Sequence, residues 1–80
     1  MNIELISGTY NSNETLDLVT ELVHVKIKYL EKKIESSMSE EEIKVRENRI
    51  KNLQREFYDF KQRVNQKDGR CKIQSTIQLN

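Results

Sequence analysis

The chain has 80 residues, no proline, only two glycines and 34 % charged residues, a composition that favours long uninterrupted helices. Its single cysteine, Cys71, excludes an intrachain disulfide framework and a cysteine-built zinc site, and no apolar run exceeds two residues, far short of a membrane span. The formal net charge of +1 hides an asymmetry: residues 1–42 carry nine acids and four bases, residues 43–80 ten bases and four acids, so the two halves are expected to fold against each other.

Residues 2–7 alternate polar and apolar, with Ile3 and Leu5 on one face, as a short strand does. Gly8 and Thr9 read as the turn that follows. Asn11 with Glu14 three residues on has capping-box spacing, so helix 1 is expected over about 12–36. Ser36-Ser37-Met38-Ser39 breaks the helical pattern, and Ser39 with Glu42 is a second capping box. Met38 and Ile43 form its hydrophobic staple, and Glu40, Glu41 and Glu42 place carboxylates at the positive end of the helix dipole. Helix 2 is expected over about 40–67, ending at Asp68-Gly69 because glycine tolerates the left-handed stop. Over 71–79, Cys71, Ile73, Ser75, Ile77 and Leu79 alternate with Lys72, Gln74, Thr76 and Gln78, the pattern of a second strand.

On helix 2, Ile43, Arg46, Ile50, Leu53, Phe57, Phe60 and Val64 repeat at alternating steps of three and four, the period of a coiled-coil seam. Helix 1 answers with Leu16, Val19, Val23, Ile27, Leu30 and Ile34. Folding the chain at Met38 sets Ile34 opposite Ile43, Leu30 opposite Arg46, Ile27 opposite Ile50, Val23 opposite Leu53, Val19 opposite Phe57 and Leu16 opposite Phe60. The expected fold is therefore mainly α with a β component: an antiparallel, coiled-coil-like helical hairpin in one domain, flanked by short terminal strands in the order β-α-α-β.

Helix 1 carries a second apolar stripe, Leu18, Leu22, Val25 and Tyr29, turned about 130° from the first at roughly 100° per residue. One hairpin partner cannot cover both. Either the terminal strands lie on it or a second subunit does, and a homodimer that builds a four-helix arrangement is favoured, because small domains without disulfide or metal need such support.

Chemistry is harder to find. Glu21 and His24 have the Glu-x-x-His spacing of di-iron bundles but fall between the two stripes, so a surface histidine is the simpler reading. No glycine-rich phosphate loop, second histidine or activated serine accompanies them. Neither enzymatic activity nor a cofactor, metal or small-molecule substrate is expected. The order strand–helix–helix is that of ribbon-helix-helix repressors, but Asn2 and Glu4 would face outward, and an acid there repels phosphate. A weaker nucleic-acid reading uses Lys61, Arg63, Lys67, Arg70 and Lys72 at the basic end of helix 2, where bases also satisfy the helix dipole. The sequence thus suggests a cytoplasmic interaction or assembly module, self-associating or binding a protein partner through Leu18, Leu22, Val25, Tyr29 and the terminal strands. The alternative is a regulator that contacts nucleic acid.

Overall fold

A computed structural model of the chain describes residues 1–35, 38–66 and 69–80. In chain order they form β1 (Asn2–Tyr10), α1 (Ser12–Lys32), α2 (Glu40–Asn65) and β2 (Cys71–Gln78). The helices pack antiparallel and the two strands pair as an antiparallel ribbon, the β-α-α-β arrangement the periodicities predict.

Both helix starts follow from their caps. The Asn11 side-chain oxygen accepts from the Glu14 backbone N–H at 2.8 Å. The Glu14 carboxylate accepts in turn from the Asn11 side-chain amide at 2.6 Å, not from the cap backbone N–H that a standard capping box would use. Ser39 Oγ accepts from the Glu42 N–H at 3.2 Å, with Met38 and Ile43 both half-buried beside it.

The helix ends come earlier than the sequence suggests. α1 stops at Lys32 rather than near 36, because its last turn tightens. The Lys33 N–H is shared between the carbonyls of Tyr29 and Leu30, and the Ile34 N–H reaches back only three residues, to Glu31 at 3.1 Å. α2 stops at Asn65 with the same tightening, Gln66 N–H to Arg63 carbonyl at 3.2 Å. Ser36 and Ser37 of the predicted turn, and Lys67 and Asp68 at the predicted end of helix 2, lie outside the described residues. Gly69 beyond them has φ +80°, the left-handed conformation expected of a glycine there.

Along the hairpin, every seam position is at least half-buried: Leu16, Val19, Val23, Ile27, Leu30 and Ile34 on the first side, Ile43 through Val64 on the second. Leu30 and Val64 are the most enclosed. Arg46 is half-buried on the same line. Arg46→Leu is expected to keep the helical circular-dichroism signal and leave the melting temperature equal or higher, since leucine spares the seam a guanidinium. A large loss of helicity would mean that the helices meet along other faces.

The strands depart most from expectation. β1 does not turn at Gly8 and Thr9 but continues through them, Gly8 opposite Ile73, Thr9 opposite Lys72 and Tyr10 opposite Cys71. Only Asn11 then separates strand from helix. Gly8 holds φ +140° within the strand, so its glycine marks an irregular strand backbone rather than a turn. A Cβ there would meet only the Tyr10 ring at 3.9 Å, which leaves backbone strain as the whole penalty. Gly8→Ala is expected to lower stability by about 1–2 kcal/mol, read from the urea midpoint. An unchanged midpoint would mean the strand relaxes into ordinary extended backbone.

The register shifts between Glu4, opposite Thr76, and Ile6, opposite Ser75. Leu5 is the extra residue of a β-bulge, so Leu5 and Ile6 together oppose Ser75. The sequence pointed to Ile3 and Leu5 as the inward face of β1; the buried residue is Ile6, and Ile3 and Leu5 are exposed. The bulge is what allows this. It moves the inward parity from odd positions (Ile3, Leu5) to even ones (Ile6, Gly8, Tyr10) without turning Ile3 and Leu5 to the other face. β2 keeps its predicted odd face, Cys71 buried and Ile73 and Ser75 half-buried, while Lys72, Gln74 and Thr76 are exposed. The pairing runs past Gln78: the Leu79 N–H donates to the Met1 carbonyl at 2.8 Å and the terminal amine to the Leu79 carbonyl at 3.1 Å.

Candidate functional site

The surface that stands out is apolar and exposed. On α1 the second stripe remains largely uncovered, with Leu18 at 37 %, Leu22 at 39 %, Val25 at 67 % and Tyr29 at 52 % of full exposure. The terminal ribbon reaches part of it. Ile6 shares a hollow with Leu18, Leu22, Asp17 and Glu21, so the strands approach the first half of the stripe and leave Val25 and Tyr29 open. Tyr29 is flanked by two cations, Lys26 and Lys33, whose ammonium groups lie 5.3 and 5.5 Å from its ring centroid, a polar rim around an aromatic anchor.

The inward face of the ribbon continues the pattern. Near the helices it is closed by Ile6, Cys71 and Ile73; towards the chain ends Ile3, Leu5, Ile77 and Leu79 stand 44–67 % exposed. Since the bulge keeps Ile3 and Leu5 on the face of Ile77 and Leu79, these four form one apolar sheet surface that the other described residues leave exposed. Two apolar areas, one on a helix and one on a sheet, thus flank the hollow at Ile6.

The shape agrees. The radius of gyration is 15.3 Å, against about 12 Å for a compact domain of this length. The chain exposes 6702 Å², where a typical monomer of its 9.5 kDa exposes about 5000 Å².

The chain matches no family model, no curated protein and no solved structure.

The other sequence candidates are less concentrated. Lys61, Arg63, Arg70 and Lys72 are exposed, and Lys67 lies outside the described residues. They do not make one even basic face. Lys61 places its ammonium 4.7 Å from the Phe57 ring centroid, Arg70 lines a hollow that also holds Glu14, and Lys72 sits on the polar side of the ribbon. Glu21 and His24 are both exposed. Among the described residues no three His, Cys, Asp or Glu side chains gather where they could hold a metal ion, and no helix is long and apolar enough to cross a membrane. Cys71 is a buried thiol on the inward face of β2.

Two contributors escaped the sequence reading. Ile6 is the buried residue of β1 and lines the hollow beside the stripe, and its trace in the sequence is the pair Leu5-Ile6, which breaks the alternation where the bulge falls. Thr15, in the first turn of α1, is fully buried, its hydroxyl donating to the Asn11 carbonyl at 2.8 Å. A polar residue at that spacing carries no periodic signal.

Proposed function

We propose that the protein is a small, non-catalytic, cytoplasmic assembly module that self-associates through α1 and the terminal strands, forming a homodimer in which two hairpins make a four-helix arrangement. The observation that carries this reading is the joint exposure of Leu18, Leu22, Val25 and Tyr29 with Ile3, Leu5, Ile77 and Leu79. Contiguous apolar surfaces of this kind mark interaction sites in soluble proteins. The surplus of roughly 1700 Å² over a typical monomer is about twice what a standard interface removes from each subunit and falls in the range of obligate homodimers.

The test is molar mass by light scattering over a range of concentrations. A mass near 19 kDa (about twice that of the chain, as C2 association requires) is expected to persist when salt is raised, because apolar burial does not weaken with ionic strength. A monomer at every concentration would overturn the reading. The exposed bases Lys61, Arg63, Arg70 and Lys72 would then become the leading surface. Binding to duplex DNA that falls steeply between low and moderate salt would support the alternative, a nucleic-acid-contacting regulator.

A further inference from the structure

The ribbon has two strands and hence two free edges, and they are not equivalent. Leu79 and Met1 exchange both of their backbone hydrogen bonds, so they are a hydrogen-bonded pair of the ladder. In an antiparallel ladder such pairs alternate along the strand. The odd residues of β2 therefore bond to β1. The N–H and C=O groups of Lys72, Gln74, Thr76 and Gln78 point away from β1, to the free edge. That edge is regular over all eight residues, with no proline, bulge or acid. The edge of β1 is interrupted at Leu5 by the bulge and again at Gly8 by its positive φ, the irregularities that hinder strand addition.

We infer that the β2 edge pairs with the β2 edge of a second copy, giving a continuous four-stranded sheet in the order β1-β2-β2-β1, centred on Ser75. This rests on the self-association proposed above and names its geometry. Only even residues offer outward hydrogen bonds, so an antiparallel pairing of β2 with itself must set even against even. With Ser75 on the two-fold axis, Gln74 meets Thr76 and Lys72 meets Gln78 of the partner as hydrogen-bonded pairs. On the inward face Ile73 then meets Ile77, and Cys71 meets Leu79. The strand overlaps itself along its whole length, and no charge faces its own copy. Shifting the register by one step either way sets Ser75 against Ile73 or against Ile77 and loses the isoleucine pairing.

The two-fold axis of an antiparallel strand pair is perpendicular to the sheet, so both apolar faces stay on one side. Ile77 and Leu79, exposed in the single chain, gain apolar neighbours there. The two α1 stripes come to the same side of the joined sheet, where one axis can serve both contacts.

Cross-linking tests the register. Ser75 would face itself as a non-hydrogen-bonded pair with Cα atoms about 4.5 Å apart, within disulfide reach. Under mild oxidation Ser75→Cys is expected to convert most of the protein to a covalent dimer. Ile77→Cys, whose two copies would stand about 14 Å apart along the strands, is expected to stay uncross-linked, as is the wild type with Cys71 alone. Efficient cross-linking of Ile77→Cys, or none of Ser75→Cys in a protein that light scattering shows to be dimeric, would overturn the edge pairing and leave self-association standing. A monomeric wild type would overturn both.

Discussion

Leu30→Ala is expected to remove a large share of the chain's folding stability. Leu30 is among the most enclosed apolar side chains of the protein. It lies on the α1 seam and lines a cleft between the helices with Leu53, Arg49 and Asn52. Truncating a buried leucine costs the lost transfer energy and a cavity, together about 2–5 kcal/mol. A domain of this length has only about 4–12 kcal/mol to lose. Among the described residues the other buried apolar side chains are Ile6, Val64 and Cys71, at the other end of the hairpin and in the ribbon, too few to compensate. Urea unfolding followed by circular dichroism, at one fixed protein concentration, should show the midpoint falling sharply. Tyr58→Ala, at an exposed site on α2, should stay within about 0.5 kcal/mol of wild type. If Leu30→Ala costs no more than Tyr58→Ala, the seam is not the core.

Val25→Asp should separate association from folding. Val25 is 67 % exposed in the single chain, so an aspartate there meets water and costs the helix only its modest propensity difference, under about 0.7 kcal/mol. In a dimer built on the α1 stripe the same carboxylate would be desolvated, with a like charge brought towards it across the two-fold axis. Such juxtapositions cost several kcal/mol, enough to weaken the dimer about a hundredfold or more. Light scattering should therefore return a monomer for Val25→Asp with helicity retained. Val45→Asp, at a position on α2 that is 52 % exposed, should leave the mass unchanged. If both variants dimerise like the wild type, the α1 stripe is not the interface.

The parts of this protein that rest on neighbours in sequence were legible from the residues. Asn11 and Ser39 cap their helices because a short polar side chain reaches a free N–H two or three residues on, whatever the rest of the chain does. The hairpin followed from matching two helical periodicities, and its seam residues are the ones that lose solvent. Both signals survive without knowing the fold, since a helix closes its own hydrogen bonds and exposes its faces at a constant angle per residue.

The ribbon was only half legible. Its two strands and the odd face of β2 could be read from alternation, but Gly8 carried the signature of a turn and lies within β1. A strand's hydrogen bonds go to a partner distant in sequence, so the partner's register decides whether a glycine ends the strand or bends it. The bulge at Leu5 has the same origin. It reconciles the pairing at Met1 and Leu79 with the pairing at Tyr10 and Cys71, a constraint between the chain's two ends.

The sequence by itself determined the two helices, their caps, the seam and the existence of a second apolar stripe on α1, because each depends on contacts a few residues apart. Only the tertiary structure decided how much of that stripe the ribbon covers. The path of β1 leading into Asn11 places Ile6 at one hollow with Leu18 and Leu22 and leaves Val25 and Tyr29 in water. That path depends on strand pairing and bulge geometry, for which no local pattern in the chain substitutes.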